Sequence, residues 1–267
     1  MKIYRFGWIP DVPDFRDTPF RSVFRLESAL PVSVDLRAGC SPVEDQGSLG
    51  SCTAQALVGA LEFLEIKTGA TFKDLSRLFV YYNERKDEGN VQWDSGAMLR
   101  TGVKVLRKLG ACQENKCPYD VDGFTVRPST MCYEEGLKHQ VTAYQRLSAL
   151  TEMKSCLAMG LPFVFGFSVY KSTMTAEVAK TGDILLPDEE ERLLGGHAVM
   201  AVGYDDAKQA IIFRNSWGAA WGQAGYGTLP YAYLENRDLS DDFWAIQATE
   251  NDLYAMHKIN NNEEVMV

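Results

Sequence analysis

The hydrophobic rhythm of this chain changes near its midpoint, and few folds accommodate such a change. Over residues 53–68, Ala54, Leu57, Val58, Leu61 and Leu64 recur three and four apart, with Phe63 and Ile66 widening the face. That spacing predicts a buried helix, stopped at Gly69. Residues 74–85 and 97–108 read as further helices, the second closed by Gly110. The second half reads differently. Residues 161–170 (LPFVFGFSVY), 197–204 (HAVMAVGY) and 210–215 (AIIFRN) have the composition of strands, the last two joined at Asp205-Asp206-Ala207. A helical part followed by an antiparallel sheet predicts an α+β fold.

The length of 267 residues fits one large domain or two lobes, and the 46% hydrophobic content supports a packed core. A net charge of −9 argues against a nucleic-acid partner. No run of 18 apolar residues appears, so no membrane-spanning helix is expected. Residues 1–17 lack an apolar core of the signal-peptide kind, which points to the cytoplasm or to export by a non-Sec route. Residues 1–30 hold Pro10, Pro13 and Pro19 among scattered aromatics. They read as an extended segment that buries its rings on a surface. Residues 251–267 read as a polar, fraying tail. Nothing calls for a cofactor or a metal, and a monomer is expected.

The most informative stretch is Gln46-Gly47-Ser48-Leu49-Gly50-Ser51-Cys52. It is a compact turn that delivers Cys52 to a helix N-terminus. Unpaired N–H groups and the helix dipole there favour thiolate over thiol, so the Cys52 pKa is expected to fall. The same N–H groups, with the Gln46 side chain, are candidate donors to an oxyanion. The plain alternative is a small residue packed under a helix. The chain has six cysteines. With one kept as a nucleophile the other five cannot all pair, so no disulfide framework is read, and one or two bridges stay open.

Of the three histidines, His139 lies in a polar stretch and His257 in the tail, whereas His197 opens an apolar strand after Gly195-Gly196. If the following turn is centred on Asp206, Val199 faces Phe213, Ala201 faces Ile211 and His197 faces Asn215. Directly opposed residues have Cβ atoms ~4.5–5.5 Å apart, within reach for an Asn amide to fix the imidazole. Trp217, two residues on, is placed to exclude water from that bond.

Three blocks in this order, QGSLGSC before a helix, GHAVMAVGYD, and FRNSWGAAWGQAGYG, resemble the papain-like cysteine peptidases. VDLRAGCSPVEDQG resembles the start of a mature domain of that family, and Pro118-Tyr119 its common PY pair. The resemblance spans about residues 30–248. It implies a two-lobed fold with a helical lobe (about 39–140), an antiparallel, barrel-like sheet lobe (about 141–250) and a cleft between them. It implies Cys52 as nucleophile, His197 as acid and base, Asn215 as its orienter and Gln46 in the oxyanion hole. Ser95, Gly96, Gly196 and Trp217 would line the substrate groove, with Gly96 bonding an extended peptide backbone. The implied activity is endopeptidase hydrolysis of peptides or proteins. Acyl transfer or deamidation on the same residues, and a silent binding protein on a peptidase scaffold, are the alternatives. The chain departs from the family at Leu49, where a cysteine is usual, and at Thr53, where an aromatic is usual. A segment of about 30 residues stands in place of a long helical propeptide, as in bacterial members.

Overall fold

The computed structural model describes residues 4–24 and 29–247. Seven strands form one antiparallel sheet among them: β1 (Ser33–Asp35), β2 (Ala143–Arg146), β3 (Phe163–Tyr170), β4 (Leu193–Asp205), β5 (Ala210–Arg214), β6 (Tyr226–Pro230) and β7 (Ser240–Gln247). The order is β2-β7-β3-β4-β5-β6, with β1 paired to β4. The class is α+β as expected, but the barrel-like expectation is corrected, because the sheet is open. Its terminal strands do not pair with each other. Arg146 of β2 instead donates its N–H to Thr18 C=O at 2.9 Å, and Thr228 of β6 bridges to Asp183.

The helices are α1 (Cys52–Lys67), α2 (Arg77–Asp87), α3 (Leu99–Leu109), α4 (Thr130–Gly136), α5 (Leu150–Ala158), α6 (Ala176–Thr181) and α7 (Tyr231–Glu235). Helix α2 begins later than the apolar spacing suggests because Ser76 caps it, its Oγ accepting the Phe79 N–H at 3.0 Å.

Helix α1 is the axis on which the two halves close. It is buried from Cys52 to Leu64, so its surface must be apolar or internally paired all round. Thr53 Oγ1 accordingly donates to Glu84 Oε2 at 2.8 Å, and Glu62 pairs with Arg77 at 2.7 Å. On one side α1 packs against α2 and α3, and on the other against β4. This arrangement brings the start of α1 to the strand that carries His197.

The N-terminal segment does bury rings. Phe20, Phe24 and Trp8 belong to the core, whereas Phe15 is fully exposed. The tail read for residues 251–267, with His257, lies outside the described residues. His139 is not the solvated residue its polar setting suggests: it is buried, with Nδ1 2.7 Å from Glu65 Oε1.

Candidate active site

Two loops from opposite halves are stitched together beside α1. Gln46 N–H donates to Ser216 C=O at 2.9 Å, and Gly218 N–H to Glu44 C=O at 3.0 Å. Asp45 and Trp217 form the antiparallel bridge between those bonds. The side chains repeat the link, with Ser216 Oγ donating to Gln46 Oε1 at 2.7 Å. That bond fixes which end of the Gln46 amide points onward, and its Nε2 donates to Arg5 C=O at 3.0 Å and Leu49 C=O at 2.8 Å.

Cys52 is the first residue of α1, and its sulfur accepts backbone N–H groups from Thr53, Ala198 and Gly7. The Ala198 contact places the sulfur at the residue after His197. The expected fall of the Cys52 pKa is corrected. Burial pushes this thiol up to about 11, against the lowering effect of the Ala198, Gly7 and Thr53 N–H bonds. The sulfur is fully buried, with the Gly7 backbone against it.

His197 is fully buried, and its Nε2 lies 2.8 Å from Asn215 Oδ1. Asn215 Oδ1 also accepts the Ser216 N–H at 2.8 Å, so the amide oxygen is held facing the ring and Nε2 carries the proton. Nδ1 is buried and has no hydrogen-bond partner among the described residues. Burial draws the His197 pKa down to about 4, with the Asn215 bond opposing. As they stand, thiol and imidazole are both neutral.

The route by which His197 reaches Asn215 differs from the expected register. Ala201 pairs with Phe213 and Met200 with Arg214, a bulge intervenes before Gly203–Ile212, and His197 pairs with Phe167 of β3. The turn spans Asp206 to Gln209, with Gln209 at φ +51°, and is longer than the one read from the sequence. Asn215 lies one residue past the end of β5, where its N–H donates to Gly225 C=O at 2.9 Å. The side chains meet across the bulged ladder without being directly opposed.

Trp217 stacks on His197 with ring centroids 4.6 Å apart, and Trp221 stands edge-on to it at 5.4 Å. Tyr4 covers the other side of Trp217 at 4.4 Å. Gly196 accepts the Trp8 N–H at 2.9 Å. Beside Gly96, the N-terminal segment pairs with Ala97. Ala97 N–H donates to Gly7 C=O at 2.8 Å and Ala97 C=O accepts the Ile9 N–H at 3.0 Å. Gly96 N–H is taken by Tyr81 Oη at 3.1 Å. What Gly96 supplies is space, since a Cβ there would sit 2.1 Å from Gly7 O. Ser95 bonds only locally, its Oγ donating to Gly96 C=O at 3.0 Å.

Sequence reasoning gave no bracing role to three supporting residues, Ser216, Tyr119 and Asp94. Ser216 orients Gln46, and only its place beside Asn215 hints at it. Tyr119 Oη donates to Gln46 C=O at 2.9 Å and lies 2.6 Å from Ser51 Oγ. Asp94 accepts the Gly50 N–H at 3.0 Å and the Tyr81 hydroxyl at 2.5 Å.

Comparisons with known proteins give the family and the fold. The profile described as "Papain family cysteine protease" matches residues 30–238. The chain is 43% identical to xylellain, a cysteine protease from Xylella fastidiosa, with a TM-score of 0.84 over 91% of this chain and 96% of that one. It is 39% identical to an uncharacterized peptidase C1-like protein of Acanthamoeba polyphaga mimivirus, over 91% of this chain and 86% of the relative. The procathepsin B of Trypanosoma congolense, at 18% identity, shares the fold with a TM-score of 0.71 over 91% of this chain and 86% of that one.

Proposed function

The chain belongs to the papain family of cysteine proteases, and from that premise we propose that it is an endopeptidase in which Cys52, His197, Asn215 and Gln46 perform the chemistry. The observation that carries this reading is the orientation of His197. Asn215 occupies one ring nitrogen at 2.8 Å and leaves the other, Nδ1, without a partner, while the next residue's N–H meets the Cys52 sulfur. The free nitrogen is the one left to exchange a proton with the thiol.

In the reactive state the Cys52 proton passes to His197, and the thiolate attacks the scissile carbonyl carbon. The developing oxyanion receives the Cys52 N–H, the first of α1, and Gln46 Nε2. Loss of the amine takes the proton from His197, which then deprotonates water for hydrolysis of the thioester. The Gln46 bond to Arg5 C=O supports this role, since it marks where a carbonyl oxygen is already received.

Residues 4–11 hold that machinery off. Arg5 C=O fills the donor position of Gln46, and Gly7 covers the sulfur. The Gly7 group facing sulfur is an N–H, not a carbonyl carbon, so the segment blocks without being positioned as a substrate. The dehydration it imposes keeps both partners neutral. Residues 1–30 are therefore read as a propeptide-like gate on a peptidase domain of about residues 31–250.

The test is hydrolysis of an internally quenched peptide by variants in a Gly7→Ala background, which opens the gate. Cys52→Ala and His197→Ala should lower kcat/KM by at least about 10³-fold, and Gln46→Ala by about 10²-fold. Hydrolysis by the Cys52→Ala double variant at the rate of its Gly7→Ala parent would overturn the assignment.

A further inference from the structure

Three thiols meet on the far side of the loop that carries Tyr119. Cys112 follows α3, Cys117 closes the short 3-10 turn Glu114–Lys116, and Cys132 comes from α4. Ser76 ties two of them together, its N–H donating to Cys112 C=O at 2.7 Å and its Oγ to Cys117 C=O at 2.5 Å, and the three thiols lie against one another. Cys132 Sγ also donates to Lys116 C=O at 3.3 Å and lies 3.3 Å from Ser129 Oγ. All three are free, Cys112 and Cys132 buried and Cys117 partly exposed. No group of His, Cys, Asp and Glu side chains suited to a metal ion occurs among the described residues.

We propose that Cys112 and Cys117 form a dithiol–disulfide centre that reacts reversibly with low-molecular-weight disulfides, Cys117 attacking and Cys112 resolving. Cys117 is the member that solvent reaches. Its contact with Cys112 draws its thiol down, whereas that contact and burial push Cys112 up, which favours Cys117 as the thiolate. The Cys117 thiolate attacks one sulfur of the reagent, a mixed disulfide forms and one reagent thiolate leaves. The Cys112 sulfur then attacks Cys117 sulfur, and the second reagent thiolate leaves. Two protein thiols are oxidised, one reagent disulfide is reduced to two thiols, and the two protons lost by the protein end on them.

The centre adjoins the active site through one loop. Two residues past Cys117, Tyr119 donates its N–H to Glu114 Oε1 at 2.5 Å while its hydroxyl braces Gln46 and Ser51. A bond between Cys112 and Cys117 closes a ring around the turn that holds Glu114, and so fixes the base of the Tyr119 brace.

The experiment uses the full chain carrying Cys52→Ala, so that Cys52 does not consume reagent. After incubation with glutathione disulfide, peptide mapping should find a Cys112–Cys117 cross-link about 2 Da lighter than the dithiol, removed by dithiothreitol. In the Cys112→Ser variant, glutathione should remain trapped on Cys117. Three thiols still open to alkylation after the incubation, or a cross-link to Cys132 in place of Cys112, would overturn the proposal. A parallel measurement needs no change to the cluster. Iodoacetamide should label Cys117 at least about tenfold faster than Cys112 or Cys132 in the native protein, and equal rates would sink the attacking role.

Discussion

The N-terminal segment has two limbs that hold the same domain by different physics. Residues 4–8 lie on the cleft through backbone bonds and ring stacking. Tyr4 and Phe6 pack on Trp217, Gly7 bonds Ala97, and the Trp8 N–H bonds Gly196. Around Asp11 the contact is a buried polar box. Asp11 accepts the Arg100 N–H at 3.0 Å and Trp244 Nε1 at 2.9 Å, and Asp242 accepts Trp8 Nε1 at 3.0 Å and the Asp11 N–H at 2.7 Å. The first limb works by close approach, where fractions of an ångström decide. The second works by charge compensation, which pH and single charges change. On the proposed reading the first limb covers the sulfur and the second keeps the first in place.

Gly7 is where the two limbs are easiest to separate. A Cβ there would sit 1.8 Å from Gly50 O, a backbone atom that cannot swing aside. Gly7→Ala should therefore lift the first limb while leaving the box intact. Once water returns to the sulfur, the thiol pKa should drop from about 11 toward the range of helix-terminal reactive cysteines. The rate of Cys52 alkylation at pH 7 should rise by about 10²-fold or more. An unchanged rate would mean that Gly7 is not what shields the sulfur.

Much of this was legible in the sequence, because it is written in local periodicity. The helix after Cys52, the strands around His197 and Ile211, and the α+β class follow from spacing alone. The His197–Asn215 bond was anticipated through a simpler register than the one present. The bulge before Gly203 and the turn ending at Gln209 shift the ladder, and neither changes the alternation of apolar residues. The direction of the Cys52 shift was not legible, because it comes from burial, which is set by tertiary packing and outweighs the N–H contacts of Ala198, Gly7 and Thr53. The box around Asp11 was hidden for the same reason. Trp8 and Asp11 meet Asp242 and Trp244 across more than 230 positions, and no local pattern encodes such a meeting.

The second limb yields a pH prediction with a definite sign. Burial, and then the neighbouring Asp242 carboxylate, push Asp11 up from 3.8 to about 7, against the Arg100 N–H bond, the Trp244 bond and the Arg100 charge. Arg146 and Arg100 face it at 3.5 and 3.9 Å, and both also reach Asp17. With its pKa raised on docking, Asp11 keeps in the docked state a proton that the released segment gives up. Docking is therefore strongest below pH ~4 and weakens as pH rises through about 7. Asp11→Asn keeps the neutral form at every pH. The ratio of Cys52 alkylation rates, wild type over Asp11→Asn, should increase about tenfold from pH 6 to pH 8. A flat or falling ratio would show that the two arginines hold Asp11 as the anion.

The smallest effect belongs to the edge of the first limb. Tyr4 lies over Trp217 at 4.4 Å with the rings 20° apart, and the other face of Trp217 carries His197. An aromatic pair contributes about 0.5–1.5 kcal/mol beyond area burial, so Tyr4→Ala should raise Cys52 alkylation by only about threefold. The same change tests whether the limbs act in series. If the box holds the segment and the rings only align it, Tyr4→Ala and Asp11→Asn should multiply their effects. If Tyr4→Ala alone released the segment as fully as Gly7→Ala, the box would be a bystander and the stack on Trp217 the true anchor.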